Sequence, residues 1–205
     1  MVILIAGAGC TGKTLLAQNL LEKYKIPYLS IDHLKMGLFR SGNDYGFTPE
    51  SEDEIITEKL WPIIKGIIMT NIENNQNMII EGCYLPDNLN EFSDEYLSKI
   101  IYFHIIFSEN YIRENLFKKI FENRDVVEKR EYFIENKIEL IDEYILDNKK
   151  HKEKCINNGI KYFEIDNNYE LEIGLIYDWL EGECISAGYK SFCEFNYNIA
   201  KGTTQ

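Results

Sequence analysis

Gly7-Ala8-Gly9-Cys10-Thr11-Gly12-Lys13-Thr14 decides how this chain is read. It follows the wholly apolar run Val2-Ile3-Leu4-Ile5-Ala6 and leads into a segment with Leu15, Leu16 and Leu20 at helical spacing. Strand, glycine turn and helix therefore meet at one point, and the eight residues fit G-x-x-x-x-G-K-[ST] at every defined position. Glycines let the backbone wrap so that successive N–H groups converge, and the helix N-terminus adds its own partial positive charge. Such a loop is a phosphate cradle. Lys13 is placed to bridge the β- and γ-phosphates of a nucleoside triphosphate, and the Thr14 hydroxyl to ligate Mg²⁺. Gly7, Ala8, Gly9, Cys10, Thr11, Gly12, Lys13 and Thr14 are the candidate nucleotide-binding residues.

Outward from the loop, short apolar runs alternate with longer segments of helical period, the pattern of an α/β chain with a parallel sheet. Strands are expected at 2–6, 27–31, 78–81, 100–107 and 161–165, mostly apolar on both faces as a sheet covered on each side requires. The first helix is expected over 13–24. Ser51-Glu52-Asp53-Glu54 reads as a capping box opening a helix with Ile55, Ile56 and Leu60 inward. Pro62 predicts a kink or restart in that helix. Ser108 is a cap for a helix to about Phe121; Ile134, Ile138, Ile141 and Ile145 mark a long helix ended by Gly159; Asn168 opens the last one, to about Leu180. The whole reads as one domain over 1–181, with an acceptor-binding insertion at about 33–76, a lid at about 109–131, and an aromatic tail at 182–205.

Charge narrows the partners. The 34 acids exceed the 22 Lys and Arg, for a net charge of −12, which repels nucleic-acid backbones and anionic lipid; no nucleic-acid or membrane partner is expected. No apolar run is long enough to span a bilayer. Five cysteines without C-x-x-C spacing argue for reduced thiols in a cytoplasmic protein. The composition carries no signal of oligomeric state.

The guanine-reading motif Asn-Lys-x-Asp is missing, since Asn136-Lys137-Ile138-Glu139 and Asn148-Lys149-Lys150-His151 both lack the Asp. The third strand, Asn77-Met78-Ile79-Ile80-Glu81-Gly82, ends in one acid followed by glycine. With the loop and this chain length, the pattern resembles the small P-loop kinases: nucleoside monophosphate kinases, shikimate- and gluconate-type kinases, and the chloramphenicol phosphotransferase and zeta-toxin type. The resemblance covers roughly residues 1–180 as an order of elements, and the loop is its one highly specific motif. It implies a three-layer P-loop NTPase fold, a five-stranded parallel sheet flanked by helices, and a helical lid.

The resemblance also assigns roles. In sugar and antibiotic kinases an acid after the second strand meets the acceptor hydroxyl, which makes Asp32 the candidate general base; helix capping is the competing and compatible role. Arg40 and Tyr84 are candidate acceptor contacts, and Tyr45, Phe47 and Trp61 add aromatic surface. Glu81 lies at the strand end where open parallel sheets bind ligands, and is a candidate for Mg²⁺ or the acceptor. Where nucleoside monophosphate kinases read Asp-Gly-Phe-Pro-Arg, this chain reads Glu81-Gly82-Cys83-Tyr84-Leu85-Pro86, without the phosphate-clamping Arg. A lid is expected from the basic cluster Arg113, Lys118, Lys119, Arg124, Lys129 and Arg130, with Arg113 and Arg124 as candidate catalytic cations; pairing with Glu114, Glu122, Glu128 and Glu131 is the plainer alternative. Asp166, after the fifth strand, is a candidate adenine contact.

The leading expectation is an ATP- and Mg²⁺-dependent phosphotransferase acting on a hydroxyl of a small-molecule acceptor. A nucleoside monophosphate kinase and a nucleotide-dependent regulatory protein without an acceptor are the alternatives.

Overall fold

Every residue of Val2–Gly7 is buried, because this strand lies at the centre of the sheet with helices on both faces. A computed structural model describes residues 1–120 and 137–186. Five parallel strands, β1 (Val2–Gly7), β2 (Tyr28–Ser30), β3 (Met78–Glu81), β4 (Ile100–Phe107) and β5 (Lys161–Ile165), pair in the order β2-β3-β1-β4-β5. The register Ile5↔Glu81, Ser30↔Glu81 and Gly7↔Ile105 brings Gly7, Ser30 and Glu81 to one carboxyl edge. Ligands of open parallel sheets bind at that edge.

Seven α-helices stand among the described residues: α1 (Lys13–Tyr24), α2 (Ile31–Arg40), α3 (Asp53–Glu73), α4 (Asp94–Leu97), α5 (Glu109–Asn115), α6 (Lys137–Asn158) and α7 (Tyr169–Ser186). A π-helical turn, Leu116–Ile120, continues α5. The period-two alternation of β1 divides the core. Ile3 and Ile5 join Phe103 and Ile105 of β4 under Leu16 and Leu20 of α1, Ile112 of α5, Ile145 of α6 and Ile176 and Leu180 of α7. Val2, Leu4 and Ala6 face the other way, onto Ile31 of α2 and the stripe Ile56, Leu60, Ile64, Ile68 and Ile72 of α3. Four-residue steps put that stripe on one helix face.

Several boundaries follow local chemistry the linear pattern hides. β2 passes straight into α2 at Ile31, so Ser30 takes the cap position and Asp32 sits inside the first turn, not at its cap. The Ser51 box does not form, since Ser51 Oγ accepts the Thr48 N–H at 2.9 Å and α3 opens with Glu52 as its cap. Pro62 lies within one helix that continues on both sides of it. Leu15 and Ile55 are exposed, each turned away from the stripe that carries its buried neighbours, and Ile138 is exposed near the start of α6 although it shares the face of Ile145. The caps at Ser108 and Asn168 do form: Tyr111 N–H donates to Ser108 Oγ at 3.1 Å and Leu171 N–H to Asn168 Oδ1 at 3.1 Å. Gly159, at φ 65, ends α6, and Ile160 N–H returns to the Cys155 carbonyl at 2.9 Å in a Schellman closure. α7 runs past 181 to Ser186 with Cys184 buried, so the boundary expected at 181/182 falls inside a helix. Phe121, Ile134, most of the expected lid and the tail aromatics lie outside the described residues.

Gly7 adopts φ 134, and a Cβ there would stand 2.0 Å from the Ile105 carbonyl oxygen, so only glycine lets β1 turn beside β4. Gly9, two residues on, has open space around its Cβ direction. Gly7→Ala is therefore expected to lower unfolding free energy by about 3 kcal/mol or more, and Gly9→Ala by no more than about 1 kcal/mol. Thermal and denaturant unfolding of both variants checks this; equal losses would show that the close approach is not limiting.

Candidate active site

The cradle is closed by its own side chains. Thr11 Oγ1 donates to the Ala8 carbonyl at 3.0 Å, and the Lys13 ammonium, only 6% exposed, donates to the same oxygen. Gly12 at φ 87 caps α1, and a Cβ there would meet the Tyr169 hydroxyl at 1.8 Å, so the first residue of α7 presses on the loop. Cys10 holds the left-handed conformation at φ 58, with its Sγ accepting from Tyr144 OH at 3.4 Å.

A buried ammonium tends to lose its proton. Burial acts that way on Lys13, but the acids Cys83, Glu81 and Asp32 around it reverse the effect and hold its pKa above the ordinary lysine value. Glu81, 2% exposed, has its pKa raised by burial, against the Lys13 charge and the nearby Ser30 and Thr14 hydroxyls. Its Oε1 and the Ser30 Oγ are buried with no hydrogen-bond partner among the described residues. An orphaned carboxylate oxygen beside a hydroxyl is costly unless a cation or water completes it. The pair Thr14 and Glu81 thus fits a small hard cation such as Mg²⁺, whose other positions phosphate oxygens and water would fill.

Asp32 and Tyr84 are brought together by a residue that sequence reading passed over. Lys35, one turn along α2 and 7% exposed, pairs with Asp32 Oδ1 at 3.0 Å and donates to Tyr84 OH at 2.7 Å, its Nζ lying 4.5 Å from the Tyr84 ring centre. Burial pushes the Tyr84 phenol up to about 12, so it stays protonated. The i, i+3 spacing of Asp32 and Lys35 was the available signal. Trp61, in the α3 stripe, donates its indole N–H to Glu91 at 3.1 Å.

The expected cations are less converged. Arg40 is exposed at the end of α2. The exposed Arg113 guanidinium, on α5, donates to Glu109 at 2.8 Å and lies 3.7 Å from Asp142. Arg124 is outside the described residues. The Asp166 N–H donates to Glu172 at 2.7 Å, as do those of Asn167 and Asn168 at 2.9 Å, so that segment's amides serve the start of α7.

The helix α6 contributes groups that no motif announces. Asp147 Oδ2 accepts the Gly9 N–H of the cradle at 3.4 Å, and its Oδ1 lies 3.8 Å from His151 Nε2. Behind them His151 Nδ1 meets His104 Nδ1 at 3.3 Å, His104 Nε2 meets Tyr102 OH at 3.0 Å, and Tyr102 OH donates to the Pro86 carbonyl at 2.8 Å. Beside Asp147 on α6, the buried Asn148 accepts the Phe107 N–H on its Oδ1 at 2.7 Å.

No family model matches the sequence, and no curated protein is similar to it. Solved structures do share its architecture. A shikimate kinase from Acinetobacter baumannii in complex with shikimate is 15% identical, with 88% of this chain and 93% of that one covered and a TM-score of 0.52. A shikimate kinase from Bacteroides thetaiotaomicron is 17% identical, with 88% and 98% covered and a TM-score of 0.51. The fold is that of the small P-loop kinases. Among the described residues no helix is long and apolar enough to cross a membrane.

Burial lowers His104 and His151 from the ordinary histidine value to about 3 each. Unfolded histidines titrate near 6.5, so below that pH the unfolded chain binds protons the native state refuses. Stability is fully present above the unfolded value and is lost as pH falls toward 3, with a slope of up to about 1.4 kcal/mol per pH unit for each histidine. Urea unfolding between pH 7 and 5 should show this decline, flattened in the His104→Gln/His151→Gln double variant. An unchanged slope in that variant would assign the decline elsewhere.

Proposed function

We propose that this protein is an ATP- and Mg²⁺-dependent kinase that transfers the γ-phosphoryl group to a hydroxyl of a small-molecule acceptor. The observation that carries the reading is the convergence at one sheet edge of the cradle lysine, Glu81 and Asp32, close enough that both acids hold the Lys13 charge. Phosphoryl transfer needs positive charge on the transferring group, a metal position and a group that orients the attacking oxygen. Those three needs match Lys13, the Thr14–Glu81 pair and Asp32.

Mg²⁺, when bound, supplies charge neutralisation on the phosphate oxygens. The chain's own residues do the rest. Cradle amides and Lys13 bind the β- and γ-phosphates and fix their orientation. Asp32 accepts the acceptor's hydroxyl proton as the oxygen attacks. Lys35 holds that carboxylate in place and is itself fixed by Tyr84, so the base is oriented through a buried lysine–tyrosine contact. Arg40, Tyr84 and the helix α3 around Trp61 are assigned to the acceptor side, and the adenine to the segment around Asp166. Arg113 and Arg124 would join from the lid on closure, with Arg113 leaving Glu109. The fold shared with shikimate kinases supports a compact hydroxylated acceptor, and the loop Glu81-Gly82-Cys83-Tyr84-Leu85-Pro86 gives no arginine for an acceptor phosphate. A reduced-thiol, cytoplasmic setting accords with the described cysteines, all free.

The test is ATP consumption and product formation across a panel of sugars, cyclitols, aminoglycosides, small hydroxy acids and nucleoside monophosphates. Lys13→Ala should abolish transfer to the active acceptor, and Asp32→Asn should lower kcat about 10²–10⁴-fold with little change in ATP affinity. Transfer by Asp32→Asn at the wild-type rate would remove the base assignment. Turnover of a nucleoside monophosphate alone would make the acceptor a nucleotide, and ATP binding without turnover on any acceptor would favour a regulatory role.

A further inference from the structure

The buried chain behind the cradle fixes its own protonation. The Pro86 carbonyl can only accept, so Tyr102 spends its single proton there. The Tyr102 oxygen must then accept from His104, so His104 carries its own ring proton on Nε2 and donates it. His104 is neutral in its buried site, so its Nδ1 carries a lone pair, and the 3.3 Å contact requires His151 Nδ1–H to donate. His151, neutral for the same reason, is left with a bare Nε2. That lone pair faces Asp147 Oδ1 at 3.8 Å. Two acceptors confront each other across a gap that one proton would close.

The other end of Asp147 faces the cradle. Its Oδ2 accepts the Gly9 N–H, one of the amides of the phosphate loop. A phosphoryl oxygen and this carboxylate compete for that N–H, and a charged Asp147 repels the triphosphate in a partly desolvated site. We propose that Asp147 gates the nucleotide site and that nucleotide binding takes up one proton, held between Asp147 and His151 Nε2. The proposal rests on the nucleotide-binding reading of the cradle. The proton comes from solvent; it converts the repelling carboxylate into a neutral donor toward His151, or into one half of a His151⁺–Asp147⁻ pair drawn off Gly9. Either arrangement releases the amide to phosphate. His104 and Tyr102 hold His151 in the one tautomer that leaves Nε2 open.

Surrounding charge is consistent with this slot. Burial holds the Asp147 pKa above the usual carboxylate range, and the Asp53 charge of α3 acts the same way, while the Gly9 N–H, Lys13 of α1 and Lys150 and Lys154 of α6 favour the ionised form. Asp87 of the same loop favours a proton on His151, and Lys13 and Lys154 disfavour one. A triphosphate beside Lys13 offsets the lysine charge and adds anions, which shifts the balance toward protonation.

The experiment is calorimetric titration of the full-length protein with MgATP between pH 6 and 8, in buffers of contrasting ionisation enthalpy, for the wild type, Asp147→Asn and His151→Gln. The wild type should take up about one proton more per nucleotide than Asp147→Asn, and its affinity should rise as pH falls. Asp147→Asn should bind MgATP roughly tenfold tighter than wild type at pH 8, with the two converging toward pH 6. His151→Gln should lose the extra uptake and keep weak binding to lower pH. Equal uptake in wild type and Asp147→Asn, or no tightening in that variant, overturns the gate. If Asp147→Asn does not fold, uptake in His151→Gln equal to wild type overturns it. Absence of MgATP binding by the wild type would instead remove the nucleotide reading itself, and the gate with it.

Discussion

A lysine buried at the mouth of a glycine turn is the constraint around which this structure is organised. Lys13 stays charged at 6% exposure only because acids surround it, and those acids come from separate elements. Glu81 arrives on β3 and Asp32 on α2, each delivered by the register of parallel strands to the same carboxyl edge as Gly7. Remove the close β1–β4 approach at Gly7, or the β2–β3 pairing that sets Ser30 against Glu81, and the charges no longer meet.

The acids around Lys13 are in turn held by a further set of contacts. Asp32 is fixed by Lys35, and Lys35 by Tyr84 in the loop after β3. Glu81 keeps an unpaired buried oxygen, a state that a native interior tolerates where function requires it. The helix α6 adds Asp147 and the His151–His104–Tyr102 chain, so the cradle is bounded from two sides. In the proposed reading the acceptor-side groups lie on α2 and α3, and the proton-sensitive group on α6. A nucleotide must be bound tightly enough to be oriented and loosely enough to be released, and in the proposed reading a carboxylate against the cradle is one means of setting that balance.

Much of the fold was legible because its signals are local. β3, β4, β5 and α1 begin and end where apolar runs and turn residues place them, and the caps at Ser108 and Asn168 and the stop at Gly159 need only neighbouring residues. Local signals misled where two partners competed. Ser51 had Thr48 as well as its own helix to bond, and Asp32 was drawn into the first turn because β2 runs into α2 without a loop. Lys35 was missed although it lies in the stretch that includes Asp32, because a lysine three residues from an acid is ordinary on any helix surface; burial alone makes this one different.

The sequence by itself determined the phosphate cradle, the parallel α/β architecture and the identity of the acids that could serve it, since spacing and side-chain chemistry suffice for these. Only the tertiary structure decided which groups meet. Asp147 lies 138 residues from Gly9 and His151 lies 47 from His104, and no periodicity relates positions so far apart. Those contacts exist because the sheet order sets β1 beside β4 and the core packing draws α6 over the same edge. Their protonation follows from a chain of donors and acceptors that forms only when the helix docks.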